Sequence, residues 1–132
     1  MNEFDIIEKY FAPLTQDHGG AAGLKNDGAV LKVPSGMELA VTTDTLNAGT
    51  HFLPDETPAN IARKALRVNL SDLAAMGAQP YCYQLALALP EKPAAAWLAA
   101  FTGALLEDQK TYGLFCSGGD TTTIIGPLTI TI

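Results

Sequence analysis

Residues 58–76 set Ile61, Ala65, Leu66, Leu70, Leu73 and Ala74 along one side of a helix that Pro58 opens and Gly77 closes. A stripe this long must be covered by another layer. The run after it, Tyr81 to Leu89, is rich in aromatic and aliphatic residues and stops at Pro90, as a buried strand does. Helical spacing then returns from Lys92 to Tyr112, where Trp97, Phe101 and Leu105 repeat at i, i+4 and Gly113 occupies the place of a left-handed cap. Two helices with a strand between them imply a sheet for both to pack on.

The remaining segments supply that sheet. Phe4, Ile7, Tyr10 and Phe11 predict a short helix over 4–11 ending at Pro13, and the small, turn-prone residues 16–28 predict a loop. Ala29–Val33 and Glu38–Thr43, joined by Pro34-Ser35-Gly36-Met37, read as an antiparallel pair. Leu114–Cys116 reads as a short strand ending in Ser117-Gly118-Gly119-Asp120. Leu128–Ile132 alternates and stops in mid-pattern, which predicts a truncated chain, since chain ends are ordinarily polar and frayed. The order β-β-α-β-α-β predicts an α+β fold, a mixed and mostly antiparallel sheet with helices packed on one face.

Composition narrows the partners. With 132 residues and 48% hydrophobic content the chain is one globular domain with a core of its own. Eight Lys and Arg against 14 Asp and Glu leave a charge of −6, which argues against nucleic acid or an anionic bilayer as partner. An anionic ligand would need bridging cations. The longest purely apolar run, Ala94 to Phe101, is far below the roughly 20 residues that span a membrane. Cys82 and Cys116 lack C-x-x-C spacing and read as free thiols in a reducing compartment. With an acidic rather than signal-like N-terminus, the expectation is a cytoplasmic protein.

Asp27, Asp44, Asp72 and Asp120 each stand beside an apolar element, three of them with hydroxyl or glycine neighbours: Thr42-Thr43-Asp44-Thr45, Asn69-Leu70-Ser71-Asp72 and Gly118-Gly119-Asp120-Thr121-Thr122. Singly, such aspartates are caps or turn formers. As a set they offer hard oxygens suited to Mg²⁺ whose shell is completed by phosphates and waters. Asp72 falls beside the apolar stripe, where a carboxylate without a partner would be costly, and Asn69 shares its helix face at i, i+3. Gly118-Gly119 permits close backbone approach to a ligand but is equally a turn, and there is neither a Walker A nor a G-x-G-x-x-G motif. His51 reads as a phosphate contact or a loop histidine without function. His18 is expected in solvent, and Arg63, Lys64 and Arg67 as a solvated or subunit-facing flank.

Taken in order, Val41-Thr42-Thr43-Asp44-Thr45-Leu46, His51-Phe52, Lys64-Ala65-Leu66, the block Asn69-Leu70-Ser71-Asp72-Leu73-Ala74-Ala75-Met76-Gly77-Ala78 and Gly118-Gly119-Asp120-Thr121 resemble the thiamine-monophosphate kinase family. Its superfamily includes aminoimidazole ribonucleotide synthetase and selenophosphate synthetase. The resemblance spans nearly the whole chain. It implies ATP-dependent phosphorylation of thiamine monophosphate to thiamine diphosphate, in thiamine biosynthesis, with several Mg²⁺ ions and by direct transfer with no catalytic nucleophile. It implies that residues 1–132 are the N-terminal ATP- and Mg-binding and dimerisation domain of the aminoimidazole ribonucleotide synthetase-like fold. A C-terminal domain is then absent, two copies join as a homodimer, and the piece alone is inactive.

Carried onto this sequence, the resemblance implies metal ligands at Asp27, Thr42, Thr43, Asp44, Asp72 and Asp120, ATP contacts at Gly119, Asp120 and Tyr112, and a substrate contact at His51. Lys25-Asn26-Asp27-Gly28 stands where the family usually has Gly-Asp-Asp-Ala, so Asn26 removes one charge while keeping an oxygen. An isolated dimerisation module without activity and a sibling ATP-dependent synthetase are the alternatives.

Overall fold

The computed structural model describes residues 2–132, and its strands are β1 (Thr45–Asn47), β2 (Cys82–Leu89), β3 (Phe115–Thr123) and β4 (Thr129–Thr131). They form one sheet in the order β1-β4-β2-β3. β4 runs antiparallel to both neighbours, with Leu46 opposite Ile130 and Ile130 opposite Leu87, while β2 and β3 are parallel. The sheet is therefore mixed and mostly antiparallel, as the sequence predicts.

Strand β2 alternates cleanly. Tyr83, Leu85, Leu87 and Leu89 are buried, whereas Gln84 and Ala86 are exposed, so one face makes the core and the other stays open. The core face is covered by helices α2 (Pro58–Ala75) and α3 (Ala95–Tyr112), whose Ile61, Leu66, Leu98, Phe101 and Leu105 join Leu46, Leu87 and Ile130 in one cluster. Helix α3 also provides the crossover that a parallel pair requires. Thr57 caps α2 ahead of Pro58, and Gly113 ends α3 in the left-handed region at φ 77°, its N–H donating to the Gln109 carbonyl at 2.8 Å. No helix among the described residues is long and apolar enough to cross a membrane.

Polar bonds fix how these layers sit. Gln109, fully buried on α3, accepts from the Tyr83 hydroxyl at 2.7 Å and donates to the Leu14 carbonyl at 2.9 Å, so one amide joins helix, sheet and N-terminal segment. Burial holds the Tyr83 hydroxyl well above its ordinary pKa, which keeps it a donor. Arg67 on α2 grips the buried Asp108 of α3 through two bonds of 2.8 and 2.9 Å. Arg63 meets the exposed Glu107 at 3.3 Å. The basic flank of α2 thus pairs with α3 through Arg63 and Arg67 while Lys64 and Arg67 stay exposed, as expected of a solvated flank.

Several expectations are corrected. The N-terminal helix does not stop at Pro13: α1 (Glu3–Ile6) passes through a π-helical turn at Ile7–Phe11 into a 3-10 turn at Ala12–Thr15, where proline sits in the opening positions and loses no needed N–H. Residues 16–28 are not purely loop, since Gly19–Leu24 makes a 3-10 segment. His18 is half-buried, stacked on Phe115 with ring centres 3.9 Å apart, and its Nδ1 accepts from the Gly20 N–H. The pair 29–33 and 38–43 forms no ladder, and Val30, Met37, Leu39 and Val41 lie exposed. A two-stranded ribbon with no layer over its apolar side is marginal in water. Finally, Ser117-Gly118-Gly119-Asp120 continues β3 because β2 pairs beside it, with a register shift at Ser117 between the Tyr83–Cys116 and Gln84–Gly118 pairs, so the order is β-α-β-α-β-β.

Gln109→Ala should lower the unfolding free energy by about 2–4 kcal/mol, read as a shifted urea midpoint, because it strands two buried polar partners and opens a cavity. Burial pushes the Cys116 thiol up to about 11 from 9.0. Alkylation at pH 8 should therefore be roughly a hundredfold slower in the native chain than in the urea-unfolded one. Because the folded thiol keeps its proton to higher pH, its contribution to stability is complete below pH 9.0 and lost as pH rises toward about 11.

Candidate functional site

Residues 42–44 continue the line of β1 toward the end of α2. Asp44 exchanges main-chain bonds with Ile132 at 3.0 and 3.2 Å, and the Thr43 hydroxyl donates to the Ile132 carbonyl at 3.0 Å. Thr42 turns to the helix, its Oγ1 donating to Asp72 Oδ2 at 3.5 Å. Asp72 is exposed, so the desolvation cost expected from its place beside the apolar stripe does not arise. The stripe is buried only as far as Leu70, and Met76 beyond it is open to solvent. Asn69, one turn before Asp72, faces inward: its amide donates to the Ala65 carbonyl at 3.0 Å and its buried Oδ1 has no partner. Asn69 and Asp72 therefore do not present their oxygens together.

Across the sheet, Asp120 of β3 lies level with Ala86, Ala86 with Thr131, and Thr131 with Thr45. Asp120 is exposed, three strand spacings or about 14 Å from β1. Gly119 has a role only glycine fills here, because a Cβ at its φ of 157° would overlap the Leu85 carbonyl of β2. Asp27 follows Asn26 in an exposed bend. Tyr112 closes α3, 43% exposed, and Asp120 is five strand residues beyond Phe115, roughly 16 Å along β3.

Among the described residues no three acidic, histidine or cysteine side chains come close enough to cage a metal ion. The chemistry of the donors nonetheless fits Mg²⁺. That ion commonly takes one or two carboxylates and completes its octahedron with phosphates and waters. Asp72 with the Thr42 hydroxyl, and Asp44 two residues along from Thr42, form one such open group at the β1 edge; Asp120 stands at the β3 edge.

His51 sits in a tight turn that follows β1. Its N–H and that of Thr50 donate to the Asn47 carbonyl at 2.9 and 3.1 Å, and Gly49, at φ 82°, donates to Phe52 at 2.7 Å. The Asn47 N–H donates to His51 Nδ1 at 2.8 Å, which leaves the proton of the neutral ring on Nε2. Thr129 of β4 donates to Asn47 Oδ1 at 2.8 Å, and Lys64 of α2 donates from Nζ to the His51 carbonyl. His51, Glu56, Asn60 and Lys64 line a recess of about 380 Å³. Glu56 is held below the usual carboxylate range, foremost by the Thr57 N–H and next by the Asn60 amide. Lys64 is the site residue that sequence reasoning missed, and the signal was Glu56, Asn60 and Lys64 at successive spacings of four.

Residues 25–132 match the family model described as AIR synthase related protein, N-terminal domain. The chain is similar to a thiamine-monophosphate kinase of Escherichia coli (strain K12), 47% identical over 98% of this chain and 39% of that protein. It resembles the crystal structure of the thiamine-monophosphate kinase from Stenotrophomonas maltophilia K279a at a TM-score of 0.81 and 37% identity, over 99% of this chain and 41% of that one. It is also similar to AaThiL complexed with AMPPCP and TMP, at a TM-score of 0.64 and 31% identity over 68% of this chain and 29% of that one. The chain thus spans about two-fifths of the length of the curated relatives it matches.

Gly119→Ala is expected to destabilise by at least about 2 kcal/mol in thermal melts. Gly103→Ala, at an exposed position of α3 where a Cβ meets nothing within 4 Å, should instead stabilise by about 0.5–1 kcal/mol.

Proposed function

Because this chain belongs to the AIR synthase related family by its N-terminal domain, we propose that it supplies the nucleotide- and metal-binding part of an enzyme that transfers a phosphoryl group from ATP to thiamine monophosphate. The relatives' kinase names and the AMPPCP and TMP of one structural neighbour support this reading. The observation that carries it is the Thr42–Asp72 contact at the end of α2, with Asp44 two residues along the same strand line, together with the Gly119–Asp120 position on the β3 edge.

The difficulty in such a transfer is electrostatic. Both substrates are anionic and the chain itself carries −6. Two unit charges 4 Å apart repel by about 4 kcal/mol at an effective dielectric of 20. Mg²⁺, when bound, supplies the compensating charge and stabilises oxygens that become more negative in the transition state. Asp44, Asp72 and Asp120, with Asp27 from its loop, present carboxylate oxygens to hold it. The Thr42 and Thr43 hydroxyls add neutral donors. Gly119, which packs its backbone against Leu85 of β2, sets Asp120 at the position the resemblance assigns to the nucleotide phosphates. His51 presents a protonated Nε2, suited to an acceptor oxygen of the thiamine substrate. Tyr112 is assigned to the nucleotide away from its phosphates. In this reading the phosphoryl group passes directly between the substrates, as the family resemblance implies.

In the same reading residues 1–132 act as an N-terminal domain with a second domain beside them, in the cytoplasm. They act as a homodimer whose partner covers the exposed Val30, Leu39 and Val41. This chain alone is then inactive.

The polypeptide carrying this domain should convert thiamine monophosphate to thiamine diphosphate with ATP and Mg²⁺, and EDTA should abolish the conversion. Asp72→Asn should lower turnover by about 100-fold or more while leaving the melting temperature nearly unchanged, as befits an exposed side chain. Full turnover in that variant would refute the metal-holding role.

A further inference from the structure

One side chain that bonds His51 comes from outside its turn. The turn's own bonds shape its backbone, and among the described residues two bonds to side chains of other elements anchor it: Thr129 to Asn47 Oδ1, and Lys64 Nζ to the His51 carbonyl. From the bonds on the page, we propose that Lys64 is a positioning residue for His51, holding the turn so that His51 Nδ1 stays an acceptor and the exposed ring offers a fixed Nε2–H to a phosphate oxygen. The last clause rests on the function proposed above; the tautomer claim does not.

The chemistry runs as follows. A neutral imidazole in water exchanges its proton between two nitrogens, so a histidine on a loose turn offers a donor at a given position only part of the time. Here the Asn47 N–H occupies Nδ1 at 2.8 Å, and that bond survives only while the ring stays folded back over the start of its own turn. The two N–H groups donating to the Asn47 carbonyl pull in the same direction, but they constrain main chain and not the ring. Lys64 adds a restraint on the same main chain from α2, the rigid element beneath, fixing the His51 backbone from which the ring folds back. Glu56, held below the usual carboxylate range foremost by the Thr57 N–H and next by the Asn60 amide, lies in the same recess as Lys64. A long lysine side chain gives up much rotamer freedom to be held at one carbonyl, and a surface contact of this sort contributes little to stability. A purely structural Lys64 would therefore change almost nothing when removed, whereas a positioning Lys64 changes the ring it positions.

The test is the ring-nitrogen spectrum of His51, read by long-range ¹H–¹⁵N correlation in this 132-residue chain at a pH where the ring is neutral. The native chain should show the Nε2–H form alone, Lys64→Met a mixture of both tautomers, and Lys64→Arg, which keeps a donor, the native pattern again. A native chain in the Nδ1–H form, or a folded Lys64→Met chain with unchanged tautomer, would overturn the proposal; the first outcome needs no variant. In the polypeptide carrying this domain, Lys64→Met should raise KM for thiamine monophosphate by about tenfold, with kcat within about twofold and KM for ATP unmoved, and Lys64→Arg should restore it. If that polypeptide fails to phosphorylate thiamine monophosphate while the tautomer still shifts, the functional reading falls and the positioning role stands. If it phosphorylates the substrate and neither tautomer nor KM responds, the positioning role alone falls.

Discussion

Strand β2 is the constraint on which everything else in this fold depends. It pairs on one side with β4 and on the other with β3, in opposite senses, and its alternate residues form the floor on which both long helices rest. One buried bond from Tyr83 to Gln109, passed on to the Leu14 carbonyl, sets the height of α3 over that floor and ties the N-terminal segment to it. With the hydroxyl kept protonated by burial, the chain of donors and acceptors has a single sense. Removing apolar surface from water holds the layers together; this polar link decides where they sit.

From that frame the site follows by register. β2 places Asp120 level with Thr131 and Thr45, and the antiparallel Ile132–Asp44 exchange carries residues 42–44 past β1 to meet Asp72. Carboxylates thus stand at the end of α2 beside the β1 line and on the β3 edge, without forming a closed cage among the described residues. This is what a site for a long, highly charged ligand needs, since ions held partly by its phosphates must be free to arrive and leave with it. The Asn47–Phe52 turn, following directly from β1 and held by α2 and β4, adds a directional donor beside the recess.

Much of this was legible in the sequence where one signal dominated. The apolar periods of 58–76 and 92–112, the stops at Gly77 and Gly113, and the run Tyr81–Leu89 each have few alternatives. The signal failed where structure depends on a neighbour. Ser-Gly-Gly-Asp reads as a turn, yet β2 offers main-chain partners that turn it into strand. Ala29–Val33 and Glu38–Thr43 alternate like strands but find nothing to pair with or to cover them. Asp72 seemed costly because the apolar stripe was read four residues too far. His18 stacks on a residue 97 positions away, a distance that no local pattern encodes, and the spacing of four that places Lys64 beside Glu56 and Asn60 does not name its partner 13 positions back.

The most direct test of the central claim, that these separated carboxylates gather divalent cations around a triphosphate, is paramagnetic broadening by Mn²⁺ with AMPPCP in the amide spectrum of this chain. The account predicts that Thr42, Asp44, Asp72 and Asp120 broaden together and only when the nucleotide analogue is present. Broadening confined to other acidic positions such as Glu3 and Asp5, or equally strong at those four without nucleotide, would contradict it.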